Sequence, residues 1–302
     1  MKFPGSHILS MAQFERSHIE QVFAVADQME PYAHRRRITK VLDGAILGSM
    51  FFESSTRTRV SFGCAFNLLG GEVRETTGFE ATSLTKGESL HDTARVLSGY
   101  SDVIVMRHPQ SGSVAEFAEA SRVPVINGGD GANEHPSQAL LDLYTIRKEL
   151  QHQGRAGIDG LNIGMIGDLK FGRTVHSLCK LLTLFNNITV TLISPNELRM
   201  PAEIVEQLRS AGHRVFESDN MEQSLSRRYR LRHAYSGRAF CQRGRGDVVS
   251  RTLPFESSGV HAVLQTEHRH HASVAARFAR RSERTRQRFE RQSQSRDFPS
   301  GR

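Results

Sequence analysis

Short apolar runs alternating with amphipathic stretches constrain this chain more than any other feature. The runs lie at 45–50, 102–106, 161–167, 188–193 and 215–216. Between and around them, apolar residues recur at helical spacing over 60–69, 90–97, 136–150, 172–185 and 201–211. Gly70-Gly71 and Gly212 supply helix stops, and Pro136 suits the first residue of a helix. Strands separated by helices of this length run parallel, because only a crossover returns the chain to the same edge. The expected fold class is therefore α/β, with doubly wound parallel sheets covered on both faces. The length of 302 residues accommodates two such domains. The polar stretch 151–157 reads as their junction.

The run Phe51-Phe52-Glu53-Ser54-Ser55-Thr56-Arg57-Thr58-Arg59 lies where the first strand feeds the first of these helices. Backbone N–H groups at a helix start, hydroxyl donors and a guanidinium converge there, and this is the chemistry a phosphate requires. The plainer reading, an N-cap hydroxyl with solvated arginines, accounts for one Ser and one Arg but not for the whole run. Lys86 lies in a polar loop before the 90–97 helix, Arg107 ends a strand, and His135 and Gln138 flank Pro136. Singly, Arg107 reads as a surface charge and His135 as a helix cap. Their shared position at strand ends and helix starts is where open α/β sheets bind ligands.

These segments together resemble the catalytic chain of the aspartate carbamoyltransferase family, within the aspartate/ornithine carbamoyltransferase superfamily. The resemblance rests on Ser55-Thr56-Arg57-Thr58-Arg59, Lys86-Gly87-Glu88, Met106-Arg107-His108-Pro109 and His135-Pro136-Ser137-Gln138. The run from Gly167-Asp168-Leu169-Lys170 through Gly172-Arg173-Thr174-Val175-His176-Ser177 selects the aspartate branch. It covers about residues 5–226.

The resemblance implies a carbamoyl-phosphate domain over 1–150 and an aspartate domain over 151–226, the second incomplete in this chain. It implies transfer of the carbamoyl group from carbamoyl phosphate to L-aspartate, a step of pyrimidine biosynthesis. Ser55, Thr56, Arg57 and Thr58 would bind the phosphate. Thr58, Arg107 and His135 would polarise the carbonyl, and Gln138 would hold the carbamoyl nitrogen. Arg173 and Lys86 would bind aspartate, with Ser83 and Lys86 supplied by a neighbouring subunit of a homotrimer. Neither a metal nor an organic cofactor is implied, and a separate regulatory chain is left open.

Charge divides the chain at about residue 226. Residues 227–302 hold 18 of the 40 basic residues, all Arg, against 6 of the 32 acids. An Arg-rich extension reads either as a nucleic-acid contact or as the family's coding sequence translated out of frame. The absence of Lys counts against the first. For the second, codons for Arg227 to Ser236 can be written so that a one-base offset reads Ala-Asp-Ile-Val-Tyr-Ala-Thr-Arg-Ile, with Gln next after Gly237. The segment from His268 likewise yields His-Pro-Leu-Pro-Arg. Both are elements of the family, and the second base of each codon fixes the first base of each recovered one.

On this reading the tail is disordered and the second sheet lacks its later strands. His268, His270 and His271 are then by-products of the offset rather than metal ligands. No apolar run reaches membrane-spanning length and no signal-peptide pattern opens the sequence. Cys64, Cys179 and Cys241 lack metal spacing. The expectation is a cytoplasmic protein with small-molecule substrates, without membrane or nucleic-acid partners. A catalytically inactive scaffold and an Arg-tailed nucleic-acid-associated protein are the alternatives from other classes.

Overall fold

The computed structural model describes residues 3–79, 82–219, 251–254 and 261–265, the last two stretches as backbone. In chain order the elements begin with α1 (Arg16–Ala33), β1 (Ile46–Phe51), α2 (Thr56–Leu68) and β2 (Glu72–Thr77). Next come α3 (Leu90–Leu97), β3 (Val103–His108), α4 (Ser113–Ala120), β4 (Val125–Asp130) and α5 (Pro136–His152). The second unit holds β5 (Asn162–Ile166), α6 (Arg173–Leu182), β6 (Thr189–Ile193), α7 (Ala202–Ser210) and β7 (Arg214–Ser218). Two more strands, β8 (Arg251–Pro254) and β9 (His261–Gln265), follow.

The first sheet runs β2-β1-β3-β4, parallel throughout. The chain steps from β1 out to β2, then returns past β1 to β3. That reversal opens a crevice at the carboxyl ends of β1 and β3, the position where such sheets accept ligands. The second sheet runs β7-β6-β5-β9-β8. Its first three strands are parallel, and β9 pairs antiparallel with β5. The α/β class with parallel sheets is as the alternating pattern predicts.

Helix α2 starts four residues before its expected first residue, so the hydroxyl-rich run forms its first turn. It stops where Gly70 takes φ +96°, and a Cβ there would lie 2.7 Å from Lys40 Cα. Strands β2 and β4 and helices α1 and α4 were not marked by the apolar runs. Strand β2 reads Glu-Val-Arg-Glu-Thr-Thr and forms a sheet edge, where charged side chains face solvent and discourage further pairing. Strand β4 ends in Asn127-Gly128-Gly129-Asp130, which resembles a turn in sequence.

The second unit is incomplete, as expected, but two short strands from beyond residue 226, β8 and β9, join its sheet. Both lie in the Arg-rich tail, yet β9 pairs with β5 from Asn162↔Gln265 to Ile166↔His261. The run His-Ala-Val-Leu-Gln is a short apolar segment free of Pro and Gly, able to satisfy an edge whose N–H and C=O groups would otherwise lack partners. Expected disorder elsewhere in 227–302 lies outside the described residues, as do Cys241, His268, His270 and His271.

One apolar cluster joins Ile19 of α1, Leu143 and Ile146 of α5, Ile163 of β5 and Leu178 of α6. It runs through residue 150, so α5 packs with elements on both sides of the expected junction. Leu143 is fully buried at its centre. Leu143→Ala is expected to cost about 2–5 kcal/mol, read as a lower urea midpoint with an unchanged m-value. An unshifted midpoint would contradict this shared core.

Candidate functional site

Local structure at the end of β1 brings three functional groups together. Phe51 pairs with Arg107 across the sheet, and Phe52 N–H donates to the Arg107 carbonyl at 2.9 Å. The β1 end, where Glu53 and the start of α2 follow, is thereby locked beside the β3 end. Ser55 is the N-cap residue of α2 in extended conformation, but its side chain makes no capping hydrogen bond. The hydroxyl is thus not spent on the helix, contrary to the plain N-cap reading. Thr56 and Arg57 are exposed on the first turn, and Thr58 is half-buried. N–H groups of a first turn carry partial positive charge and favour an anion.

Arg107 is 5% exposed, which is unusual for a guanidinium. Its Nη1 donates to Gly128 O at 3.2 Å, and its Nε lies 3.1 Å from Glu53 Oε2. The Nε–H is not aimed at that oxygen, so the second contact is an ion pair without a hydrogen bond. Burial, then neighbouring Arg173, lowers the Arg107 pKa, and Glu53 works in the opposite direction. Gly129 takes φ +117°, and a Cβ there would lie 2.9 Å from Arg107 Nη1. Only glycine fits that close approach.

Arg173 is the first residue of α6, in the second unit, and it reaches back to the first. Its Nη1 lies 3.3 Å from the same Glu53 Oε2 and donates to Gly131 O. Two guanidiniums therefore share one carboxylate oxygen, with Arg57 on the nearby helix start. The local excess of positive charge suits an anionic ligand.

His135 precedes α5 and is buried. Its backbone N–H donates to Ser177 Oγ of α6 at 3.3 Å, and its Nδ1 lies 3.3 Å from Ser137 Oγ. Burial, then Arg107 and Arg173, pushes its pKa down to about 3. The imidazole is thus neutral at physiological pH and can donate a proton to a hydrogen bond without carrying charge. The turn before it is pinned by buried Asp130, which accepts from Gly112 N–H, Asn133 and Glu134 N–H. Gln138, on the first turn of α5, donates through Nε2 to Asp142 Oδ1 at 2.9 Å. Burial pushes the Asp142 carboxyl up to about 7.

Of the residues expected in the site, Ser55, Thr56, Arg57, Thr58, Arg107, His135, Gln138 and Arg173 all lie on strand ends or helix starts. Ser83 and Lys86 do not join them by any contact among the described residues. They occupy an exposed single-turn helix, Ser83–Lys86, closed by Gly87 at φ +88°.

Three carboxylates escaped the sequence reading. Glu53 sits inside the quoted run, where an acid among arginines was itself a signal. Glu134 is buried and accepts from Ser10 Oγ at 2.8 Å, Met11 N–H at 2.9 Å and Lys180 Nζ at 2.8 Å. Asp142 stands one helical turn from Gln138, the spacing at which side chains meet. Among the described residues, no group of three or more His, Cys, Asp or Glu could hold a metal. No helix among them is long and apolar enough to cross a membrane.

Comparison with known proteins identifies relatives of this chain. A family model described as "Aspartate/ornithine carbamoyltransferase, carbamoyl-P binding domain" matches residues 6–148. The aspartate carbamoyltransferase catalytic subunit of Cellvibrio japonicus is 74% identical over 226 residues, 75% of this chain and 67% of its own length. That of Methanosarcina mazei is 49% identical, covering 74% of this chain and 71% of its own. The catalytic subunit of M. jannaschii aspartate transcarbamoylase superposes with a TM-score of 0.67 at 46% identity, over 72% and 70% of the chains. The Trypanosoma cruzi aspartate transcarbamoylase in complex with carbamoyl phosphate and aspartate gives 0.67 at 40% identity, over 73% and 68%. The chain spans about two thirds of the curated relatives it matches, 67%, 66% and 64% for three of them.

The neutral state of His135 fixes a pH dependence. Its folded pKa lies below the ordinary 6.5, so its stabilising contribution is present above about 6.5 and is lost as pH falls toward about 3. His135→Gln removes this titration. The stability of the natural chain relative to His135→Gln is expected to fall between pH 7 and pH 4, measured by urea unfolding. A difference that stays flat over that range would contradict a buried neutral imidazole.

Proposed function

Because the chain belongs to the aspartate carbamoyltransferase family, we propose that its site binds carbamoyl phosphate and is built to transfer the carbamoyl group to L-aspartate. The observation that carries this reading is the pair Arg107 and Arg173 on one Glu53 oxygen, beside a neutral His135 and the start of α2. The phosphate lies on the first-turn N–H groups and hydroxyls of Ser55, Thr56 and Thr58, with Arg57 neutralising its charge. Thr58, Arg107 and His135 donate to the carbonyl oxygen. The α-amino group of aspartate forms a bond to the carbonyl carbon, and the oxyanion that develops is stabilised by those donors. The carbon–oxygen bond to phosphate then breaks, and the phosphate departs with the electron pair and takes up the proton that the amine loses. Gln138 holds the carbamoyl nitrogen. Arg173 takes an aspartate carboxylate.

Much of the rate comes from holding together two anions that repel in solution. The reaction as written uses no metal or organic cofactor. Lys86 and Ser83, exposed on a turn apart from the cluster, suit a loop that completes the site of a neighbouring subunit in a homotrimer. The reading places the protein in the cytoplasm, in pyrimidine biosynthesis. Residues 1–150 form the carbamoyl-phosphate domain, and the aspartate domain starts at 151. The family's Thr-Arg-x-Gln and His-Pro-Leu-Pro elements have no in-frame counterpart after Ser226, where we place a one-base frame shift. The anion half of the site is therefore intact and the aspartate half is not.

A second reading, a carbamoyl-phosphate-binding protein without turnover, is favoured by the match leaving about a third of each of three relatives uncovered. One experiment separates them. Titration calorimetry with carbamoyl phosphate is expected to show saturable binding, weakened about thirty-fold or more in Arg57→Ala. Aspartate turnover is expected to be negligible in this chain and restored when the frame after Ser226 is restored. Unchanged affinity in Arg57→Ala would overturn the site. Turnover that stays absent after frame restoration would favour the second reading.

A further inference from the structure

We propose that Asp142 is a positioning residue that fixes which end of the Gln138 amide faces the ligand, so that the site reads the amino end of a carbamoyl group. This rests on the carbamoyl-phosphate reading above. A primary amide is nearly symmetric in shape, with two N–H donors at one end and a carbonyl acceptor at the other. An unrestrained Gln138 would present either end. Asp142 Oδ1 accepts from Gln138 Nε2 at 2.9 Å. In its ionised form, which prevails above about pH 7, the carboxylate has only acceptor sites, so it captures the NH2 end and leaves Gln138 Oε1 as the other end. The carbamoyl nitrogen carries two hydrogens, and its lone pair is delocalised into the carbonyl. It therefore needs an acceptor, and Oε1 supplies one.

The placement of Asp142 is otherwise costly. It is buried, on the same helical face as the fully buried Ala139 and Ile146. Its Oδ2 finds no hydrogen-bond partner among the described residues. An acid inside a helix with one oxygen unmet destabilises the fold unless its other oxygen has work to do. Burial raises its pKa, in keeping with that cost. The Gln138 amide is the side-chain group that offsets it.

The test compares three anions on the full chain by calorimetry: carbamoyl phosphate, acetyl phosphate and inorganic phosphate. Acetyl phosphate replaces the NH2 with a methyl of similar size. The natural chain is expected to favour carbamoyl over acetyl phosphate about ten-fold or more. Asp142→Asn keeps the shape, but its own amide pairs with Gln138 in either sense, so the preference should fall several-fold. Asp142→Leu removes the partner altogether and leaves Gln138 free to present either end, so the preference should fall at least as far. In both, inorganic phosphate should bind as before. In a Gln138→Met background, Asp142→Asn should have no further effect on the preference.

A preference that survives both Asp142 variants would overturn the proposal while leaving the carbamoyl-phosphate reading intact. Parallel weakening of all three anions would also overturn it, since that is what a purely structural role gives. A natural chain that binds inorganic phosphate but does not distinguish carbamoyl from acetyl phosphate would overturn both.

Discussion

A single carboxylate oxygen, Glu53 Oε2, lies within ion-pair distance of two guanidinium groups, one from the first sheet and one from a helix of the second unit. Arg107 arrives on the end of a strand in the first sheet, and Arg173 on the start of a helix in the second unit. Without a shared counter-ion, two cations this close would repel in a partly dry environment, and Arg107 could not stay buried. Glu53 itself is held by the β1–β3 register, because Phe52 bonds to the Arg107 carbonyl. The sheet order, the buried arginine and the position of the first turn of α2 therefore form one arrangement. Neutral His135 follows from it, since the same two cations and burial disfavour its protonation.

Much of the α/β alternation was legible in the sequence because the buried parallel strands read as apolar runs and the helices as periodic ones. Strand β3 and helix α3 are the plainest cases. Strand β2 was not legible, because an edge strand needs charge rather than apolar residues. Strand β4 was hidden by Asn-Gly-Gly-Asp, which its tight approach to Arg107 demands. In the candidate site, the hydroxyl-rich run and Arg107 were singled out by their place at a helix start and a strand end, which the structure gives them. Glu53, Glu134 and Asp142 were not, because a carboxylate is common on any surface. Only burial and partners in space distinguish these three.

The two halves of the site differ in completeness. On the proposed reading the anion half draws on residues 53–138, with Glu53 and His135 tied to Arg173 and Ser177 of α6. The partner half is represented by Arg173 and by Lys86 on an exposed turn. The Arg-rich segment supplies two strands to the edge of β5, which shows that an edge can recruit a short apolar run from a segment of very different composition. Backbone pairing demands little of sequence, whereas a carboxylate-binding pocket demands particular side chains at particular places.

The most direct test of the central claim is a crystal structure of this chain soaked with carbamoyl phosphate. The account predicts a phosphate group seated on the N–H groups of Thr56 to Thr58. It predicts the carbonyl oxygen within hydrogen-bonding distance of Arg107 and His135, and the nitrogen facing Gln138 Oε1. Density for the ligand away from the start of α2, with Arg107 still turned toward Glu53 alone, would contradict it.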